Sequence, residues 1–205
     1  MRTRTSFWKH KKYFLIWDRH IPSPGLEEKI KSKKFVLNAG TKLWLKMNFT
    51  QLINRLSKYR NDKIVFVGLG NEARGDDLAG LVFINALKTK TVFNKSKFII
   101  AGKNPENYLQ QILGSNPEVV VFIDAADWGG EPGDISFLEA DSIASGDFST
   151  HAYSIKLLEQ FLSLNRPMDF IYIGIQSKTT ALGKEMSLQV YHTIKEFFSK
   201  DEKKQ

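Results

Sequence analysis

The sequence predicts an α/β fold of three layers, in which a mainly parallel, twisted sheet carries helices on both faces. Apolar runs rich in β-branched residues occur at 63–70, 117–126 and 168–176, and such runs are typical of strands buried on both faces. Segments with the apolar spacing of helices separate them. Alternation of strands with helices indicates parallel crossover connections, and hence this fold class.

The elements follow one another regularly from Lys63 onward. The predicted strands are KIVFVGLG (63–70), SKFIIAG (96–102), PEVVVFIDAA (117–126), an edge strand within PGDISFLEAD (132–141), and MDFIYIGIQ (168–176). The predicted helices are DLAGLVFINALKT (77–89), NPENYLQQILGS (104–115), STHAYSIKLLEQFLSL (149–164) and KEMSLQVYHTIKEFFSK (184–200). Asn104 with Pro105, and Ser149 or Thr150, have the residue types that begin helices. We expect one domain over 63–200 and a charged tail at 201–205.

Composition narrows the classes of protein. The chain has 205 residues and no cysteine, which excludes a disulfide framework, thiolate metal sites and a cysteine nucleophile. Its longest apolar runs are far shorter than the roughly 18 residues that span a bilayer. The run YFLIW (13–17) is too short for a signal peptide, and Asp18 follows it. We expect a soluble, cytoplasmic protein.

Charge separates a basic N-terminal extension, residues 1–62, from the rest. This extension holds 15 lysines and arginines against 4 acidic residues, whereas residues 63–200 and the tail together hold 15 against 18. Its basic residues are mixed with Trp8, Trp17 and Trp44, a composition that suits contact with nucleic acid or an anionic membrane. The composition also suits an arm packed on the core or on a partner. Alternatively, the segment before Met47 is an artefact of translation from an upstream start, and Met47 is the real start. A helical apolar stripe is predicted from Met47 onward.

Carboxylates and one histidine follow the strands at the points where ligands bind in such sheets, beyond the carboxyl ends. Some of them have alternative roles: Asp76 or Asp77 as a helix cap, Asp124 as a turn residue and His151 as an ordinary first-turn residue. In the sequence they occur far apart, yet the fold predicts one edge for all of them. The set comprises Asp76 and Asp77 after the first strand, Asp124 and Asp127 at the third, His151 at the start of a helix, and Gln176 after the strand 168–176.

The turn after the first strand, GLGNEARGDD (68–77), allows two interpretations. Gly68, Gly70 and Ala73 fit a relaxed dinucleotide-binding fingerprint. Asp76 and Asp77, however, compete with a phosphate for the amides at the helix N-terminus. Two or three carboxylates with an imidazole suit a divalent cation such as nickel, zinc or iron better.

Four motifs in this order and spacing resemble those of the [NiFe]-hydrogenase maturation endopeptidases of the HycI and HybD type. They are GLGNEARGDDLAG, FIDAADWGGEPGDI, STHAYSIKLLEQFL and YIGIQ. The likeness is strongest to the branch that serves formate-hydrogenlyase-type and related membrane-bound hydrogenases. It covers residues 63–200 and implies the phosphorylase/hydrolase-like α/β fold of that family. It also implies an endopeptidase that removes a C-terminal extension from the nickel-loaded precursor of a hydrogenase large subunit.

The resemblance further implies a set of site residues. Asp77, Asp124 and His151 match the positions that contact the nickel of the substrate, and Gly68, Gly70 and Asn71 match the supporting turn. No permanently bound cofactor is implied, since the nickel belongs to the substrate. Leu78 and Ser177 depart from the family pattern, which has glycine and proline there.

The chemistry of cleavage stays open between two routes. Substrate nickel acts as a Lewis acid, or a carboxylate, Asp77 or with less support Asp76, acts as general base on water. Ser149 is a weaker nucleophile candidate, because no nucleophile elbow surrounds it. Other functions considered are a Rossmann-like nucleotide-binding module, a non-catalytic nickel chaperone, and a different cation-dependent hydrolase.

Overall fold

A computed structural model describes residues 36–37, 41–42, 46–139, 149 and 151–199. The chain divides into two compact units, Met1–Leu43 and Trp44–Gln205. Within the first unit, strand β1 (Val36–Leu37) pairs antiparallel with β2 (Thr41–Lys42). The predictions made for residues 1–45 and for the tail 201–205 concern segments that lie largely or wholly outside the described residues.

A five-stranded sheet forms the centre of the second unit, in the order β4-β3-β5-β7-β6. Strands β4, β3, β5 and β7 run parallel to one another. Strand β6 lies at the edge of the sheet, antiparallel to β7. This confirms the mainly parallel sheet and the edge strand that the sequence predicts. The strands are β3 (Ile64–Leu69), β4 (Lys97–Gly102), β5 (Val119–Ala126), β6 (Ile135–Leu138) and β7 (Asp169–Gln176).

The strand order creates a switch point between β3 and β5. From β3 the chain crosses to β4 on one side, and then returns to β5 on the other side of β3. Phe66 of β3 accordingly pairs with Phe98 on one flank and Val121 on the other. Ligands of open α/β sheets bind at the carboxyl ends of strands at such a point, and residues that follow β3 and β5 therefore meet there.

Helices cover both faces of the sheet. Val121 and Ile123 of β5 share one hydrophobic core with α1, α2 and α5, whereas Val120 and Phe122 share another with α3 and α4. The predicted three layers are thereby confirmed. The helices are α1 (Phe49–Leu56), α2 (Ala79–Leu87), α3 (Leu109–Gly114), α4 (Ala152–Asn165) and α5 (Leu188–Ser199).

Helix α1 lies within the predicted extension 1–62, yet it packs in the core of the sheet domain. Its Phe49, Leu52 and Leu56 are buried among residues of α2 and α5. Asn48 begins the helix with a capping box, in which its side chain accepts from the Gln51 amide while the Gln51 side chain accepts from the Asn48 amide. The hydrophobic core thus starts before Lys63.

The second predicted helix begins differently from its sequence pattern. Pro105 opens a 3-10 turn (Pro105–Tyr108), and α3 follows only at Leu109. Asn104 makes no side-chain cap, and its side-chain nitrogen donates to Glu106. Among the described residues, no helix is both long and apolar enough to cross a membrane.

Candidate metal-binding site

Asp77 lies at the switch point because the chain turns sharply between β3 and α2. Asp76 and Asp77 belong to a 3-10 turn (Gly75–Leu78) directly before α2. The first turn of α2 packs against the strand ends so closely that a Cβ on Gly80 would stand 2.3 Å from the carbonyl oxygen of Leu69. A Cβ on Gly68 would likewise meet the Ile84 side chain at 2.6 Å. Glycine at these positions lets the helix approach the sheet.

Gly70 and Asn71 hold the backbone of Asp77. Gly70 has φ +145°, and a Cβ there would lie 2.1 Å from the Asp77 carbonyl oxygen. The same oxygen accepts a hydrogen bond from the Asn71 amide at 3.2 Å, while the Asn71 side chain accepts from Ala73. The Gly-rich turn therefore packs around the backbone of Asp77, at the place where a dinucleotide-binding fold would bind a phosphate.

Asp124 and His151 come from β5 and from the start of α4. Asp124 lies in the strand opposite Gly174 of β7, and His151 immediately precedes Ala152, the first residue of α4. His151 Nδ1 lies 3.2 Å from both carboxylate oxygens of Asp124. Ser149 donates its hydroxyl to Asp124 and accepts from the His151 amide. Ser149 thus orients the aspartate. The helix begins later than the predicted start at Ser149 or Thr150, because His151 is its N-cap residue and makes no side-chain cap.

The three predicted ligands lie together. One ligand atom from each of Asp77, Asp124 and His151 falls within 4.8 Å of the others. Their relative exposures are only 1%, 4% and 8%. Two buried carboxylates beside one imidazole form a compact donor set of the kind that suits a divalent transition-metal ion, and a cation there offsets the cost of burying two negative charges.

Opposing influences act on the pKa of His151. Burial lowers it, but the hydrogen bond and negative charge of Asp124, with the charges of Asp77 and Glu106, raise it above its ordinary value. The neighbouring carboxylates thus stabilise the protonated form of the ring relative to a free histidine. A metal ion competes with that proton for the ring.

Asp76 faces away from this cluster. Its two carboxylate oxygens accept from the amides of Lys178, Thr179 and Ser187 and from the Ser187 hydroxyl, at 2.7–3.0 Å. Its own amide donates to the Thr179 carbonyl. This fully buried side chain fastens the segment after β7 to the Asp77 turn.

Gln176 and Asp127 organise the neighbouring loop. The side-chain oxygen of Gln176, Oε1, accepts from the amides of Trp128 and Gly130, and its side-chain nitrogen, Nε2, donates to Asp127 at 2.9 Å. Asp127 itself is exposed and does not join the cluster of three.

Ser187 and Glu106 were not predicted from the sequence, since an isolated serine and an exposed glutamate give no signal of their own.

The chain matches a known protein family. A family model described as hydrogenase maturation protease, HycI, matches residues 82–201. That stretch includes Asp124 and His151, while Asp77 lies just before it. The match extends over more than half of the chain.

Individual relatives show the same likeness. A Methanocaldococcus jannaschii protein that is named as a hydrogenase maturation protease is 29% identical over 60% of this chain and 78% of its own. The crystal structure of the [NiFe] hydrogenase maturation protease HycI from Thermococcus kodakarensis is 27% identical. It covers 71% of this chain and 92% of its own, with a TM-score of 0.58.

A second solved structure supports the fold alone. The maturation protease HybD from Thermococcus kodakarensis is 23% identical over 69% of this chain and 97% of its own, with a TM-score of 0.55. The family match and the shared fold lead to one conclusion: the chain belongs to the HycI family of hydrogenase maturation proteases.

Proposed function

We propose that this protein removes a C-terminal extension from the nickel-loaded precursor of a [NiFe]-hydrogenase large subunit. The observation that carries the proposal is the cluster of Asp77, Asp124 and His151, whose ligand atoms lie within 4.8 Å of one another. Family membership indicates protease activity, and the cluster can recognise a metal ion by binding it. The nickel is part of the substrate, and we assign no resident cofactor to the protein.

The two acids and the imidazole would contact the substrate's nickel and fix the nearby peptide. Positioning by a bound metal places the scissile carbonyl next to the Asp77 carboxylate. Ser149 and His151 hold Asp124 in place within this set of ligands. Because the metal is held at this cluster, the distance between the nickel and the scissile bond defines where the chain is cut.

We favour water attack assisted by Asp77. A water molecule transfers a proton to the carboxylate as its oxygen bonds to the scissile carbonyl carbon. The carbon–nitrogen bond then breaks, and the leaving amine takes up the proton. Asp76 is less suited to this role, because backbone amides and the Ser187 hydroxyl already bind both of its oxygens.

Single substitutions test the proposal in a purified assay. Wild-type protein, Asp77→Asn, Asp124→Asn and His151→Ala would be incubated with nickel-loaded cognate precursor, and the product mass recorded. We expect loss of a C-terminal peptide with the wild type and a decrease in kcat/KM of at least 100-fold with each variant. Asp62→Asn is the matched control, since this exposed carboxylate precedes β3 and lies at the opposite end of that strand from Asp77.

The assay also separates the proposed function from the alternatives. A nickel chaperone binds the precursor or the metal but leaves the precursor mass unchanged. A nucleotide-binding module binds adenine or nicotinamide nucleotides tightly at Gly68–Gly70. Unimpaired cleavage by Asp77→Asn and His151→Ala would disprove the assignment of the site.

A further inference from the structure

The outer face of helix α4 is apolar although it points to solvent. Tyr153, Leu157, Phe161 and Leu164 are 82%, 40%, 49% and 83% exposed. Tyr153 and Leu164 are the most exposed large apolar side chains in the described part of the chain. We call these four side chains the α4 stripe.

The α4 stripe lies opposite the buried face of the same helix. Ala152, Ile155, Leu158 and Leu162 pack into the core on the sheet. At 3.6 residues per turn, the stripe residues fall on the far side of the helix from these four. A surface helix normally has polar residues there, and a row of exposed apolar side chains indicates an interaction surface.

The stripe begins in the first turn of α4, directly after the ligand candidate His151. Tyr153 is two residues beyond His151, and His151 immediately precedes the helix. From Tyr153 the stripe extends along α4 for about 16 Å, at 1.5 Å per residue. A protein whose metal reaches His151 is therefore in position to contact the same helix.

The size of the stripe argues against a second copy of this chain as its main occupant. A large apolar side chain offers at most about 150–250 Å², so four partly exposed ones provide a few hundred. A stable interface needs about 800 Å² from each partner. The stripe is therefore suited to be one part of a larger contact, whose other part lies at the metal-binding cluster.

We propose that the α4 stripe docks the folded part of the nickel-loaded large-subunit precursor, through an apolar patch that lies beside its nickel site. This inference rests on the proposed function and adds the surface that carries substrate affinity. The chemistry takes place at Asp77, Asp124 and His151, and the stripe contributes binding of the precursor body. Its removal should raise KM and leave kcat nearly unchanged.

The test compares two double variants of the full chain. Leu157→Gln with Phe161→Gln removes the centre of the stripe, and Lys156→Gln with Gln160→Ala changes exposed polar neighbours on the same helix. With nickel-loaded precursor, we expect the stripe variant to raise KM by at least 10-fold with kcat within twofold. The control variant should stay within twofold of wild type in both. Thermal unfolding verifies that both variants fold.

A photo-crosslinking amino acid gives an independent readout. Placed at position 157, it should capture the precursor, whereas at Gln110, on another helix, it should not. Wild-type kinetics for the stripe variant, or no capture at position 157, would overturn the proposal. So would a stripe-dependent dimer of the protein alone in sedimentation. If wild-type protein fails to cleave the precursor, the proposed function fails by itself, and capture at position 157 still reports on docking.

Discussion

The carbonyl oxygen of Asp77 occupies the space that a side chain on Gly70 would need. A Cβ on Gly70 would stand 2.1 Å from that oxygen, and the Gly70 backbone has φ +145°. The Gly-rich turn and the candidate ligand are thus one structural unit. The glycine is required by a contact with the backbone of Asp77, so the Gly-rich turn needs no phosphate ligand to account for it.

Gly70→Ala should displace Asp77 and reduce cleavage by at least 100-fold. The new methyl group meets backbone rather than a flexible side chain, so the turn itself must shift. Cleavage assays and thermal unfolding measure the two effects. Gly129→Ala is the matched control, because Gly129 also has positive φ (+76°) but open space around its Cβ position. It should cost about 1 kcal/mol of stability and retain activity. Equal activity of the two variants would contradict the role of the Gly70 contact.

Asp76→Ala should loosen the segment after β7. Loss of the carboxylate leaves the amides of Lys178, Thr179 and Ser187 without their acceptor, at about 1–3 kcal/mol for each group that stays buried. Urea unfolding should show a large loss of stability, and hydrogen exchange should accelerate at these amides. Ser187→Ala removes only one of the four bonds and should cost about 1 kcal/mol. Unchanged exchange in Asp76→Ala would contradict the anchoring role.

The pKa of His151 should lie above its ordinary value in the metal-free protein and decrease in Asp124→Asn. Burial opposes this shift, and the hydrogen bond and charge of Asp124 outweigh burial. Because the folded pKa is raised, the stability that this histidine contributes is complete below about pH 6.5. It is lost as the pH rises through the folded pKa. NMR titration of the imidazole in both proteins measures the shift. A His151 pKa that is the same in wild type and Asp124→Asn would contradict the coupling.

Much of the fold and the cluster could be predicted from local patterns. Apolar runs locate β3, β5 and β7, and the rule for parallel sheets then brings Asp77, Asp124 and His151 to one edge. The role of Asp76 could not be predicted, because its partners Thr179 and Ser187 are more than 100 residues away in sequence. Only the folded chain shows that two adjacent aspartates face different surroundings.

Two other details depend on contacts that residue types and spacing do not show. Asn104 and Pro105 have the residue types of a helix start, yet the Asn104 side chain bonds to Glu106 and the turn is a 3-10 turn. Helix α1 was predicted from its apolar spacing. Its place in the core depends on contacts with α2 and α5, distant elements that local periodicity does not encode.

The presence of nickel in the substrate provides the most direct test of the central claim. Purified protein would be given equal amounts of cognate precursor with and without inserted nickel, and the rate of C-terminal peptide release compared. If Asp77, Asp124 and His151 recognise the metal, only the nickel-loaded precursor is cleaved. Equal cleavage of both forms would contradict the account.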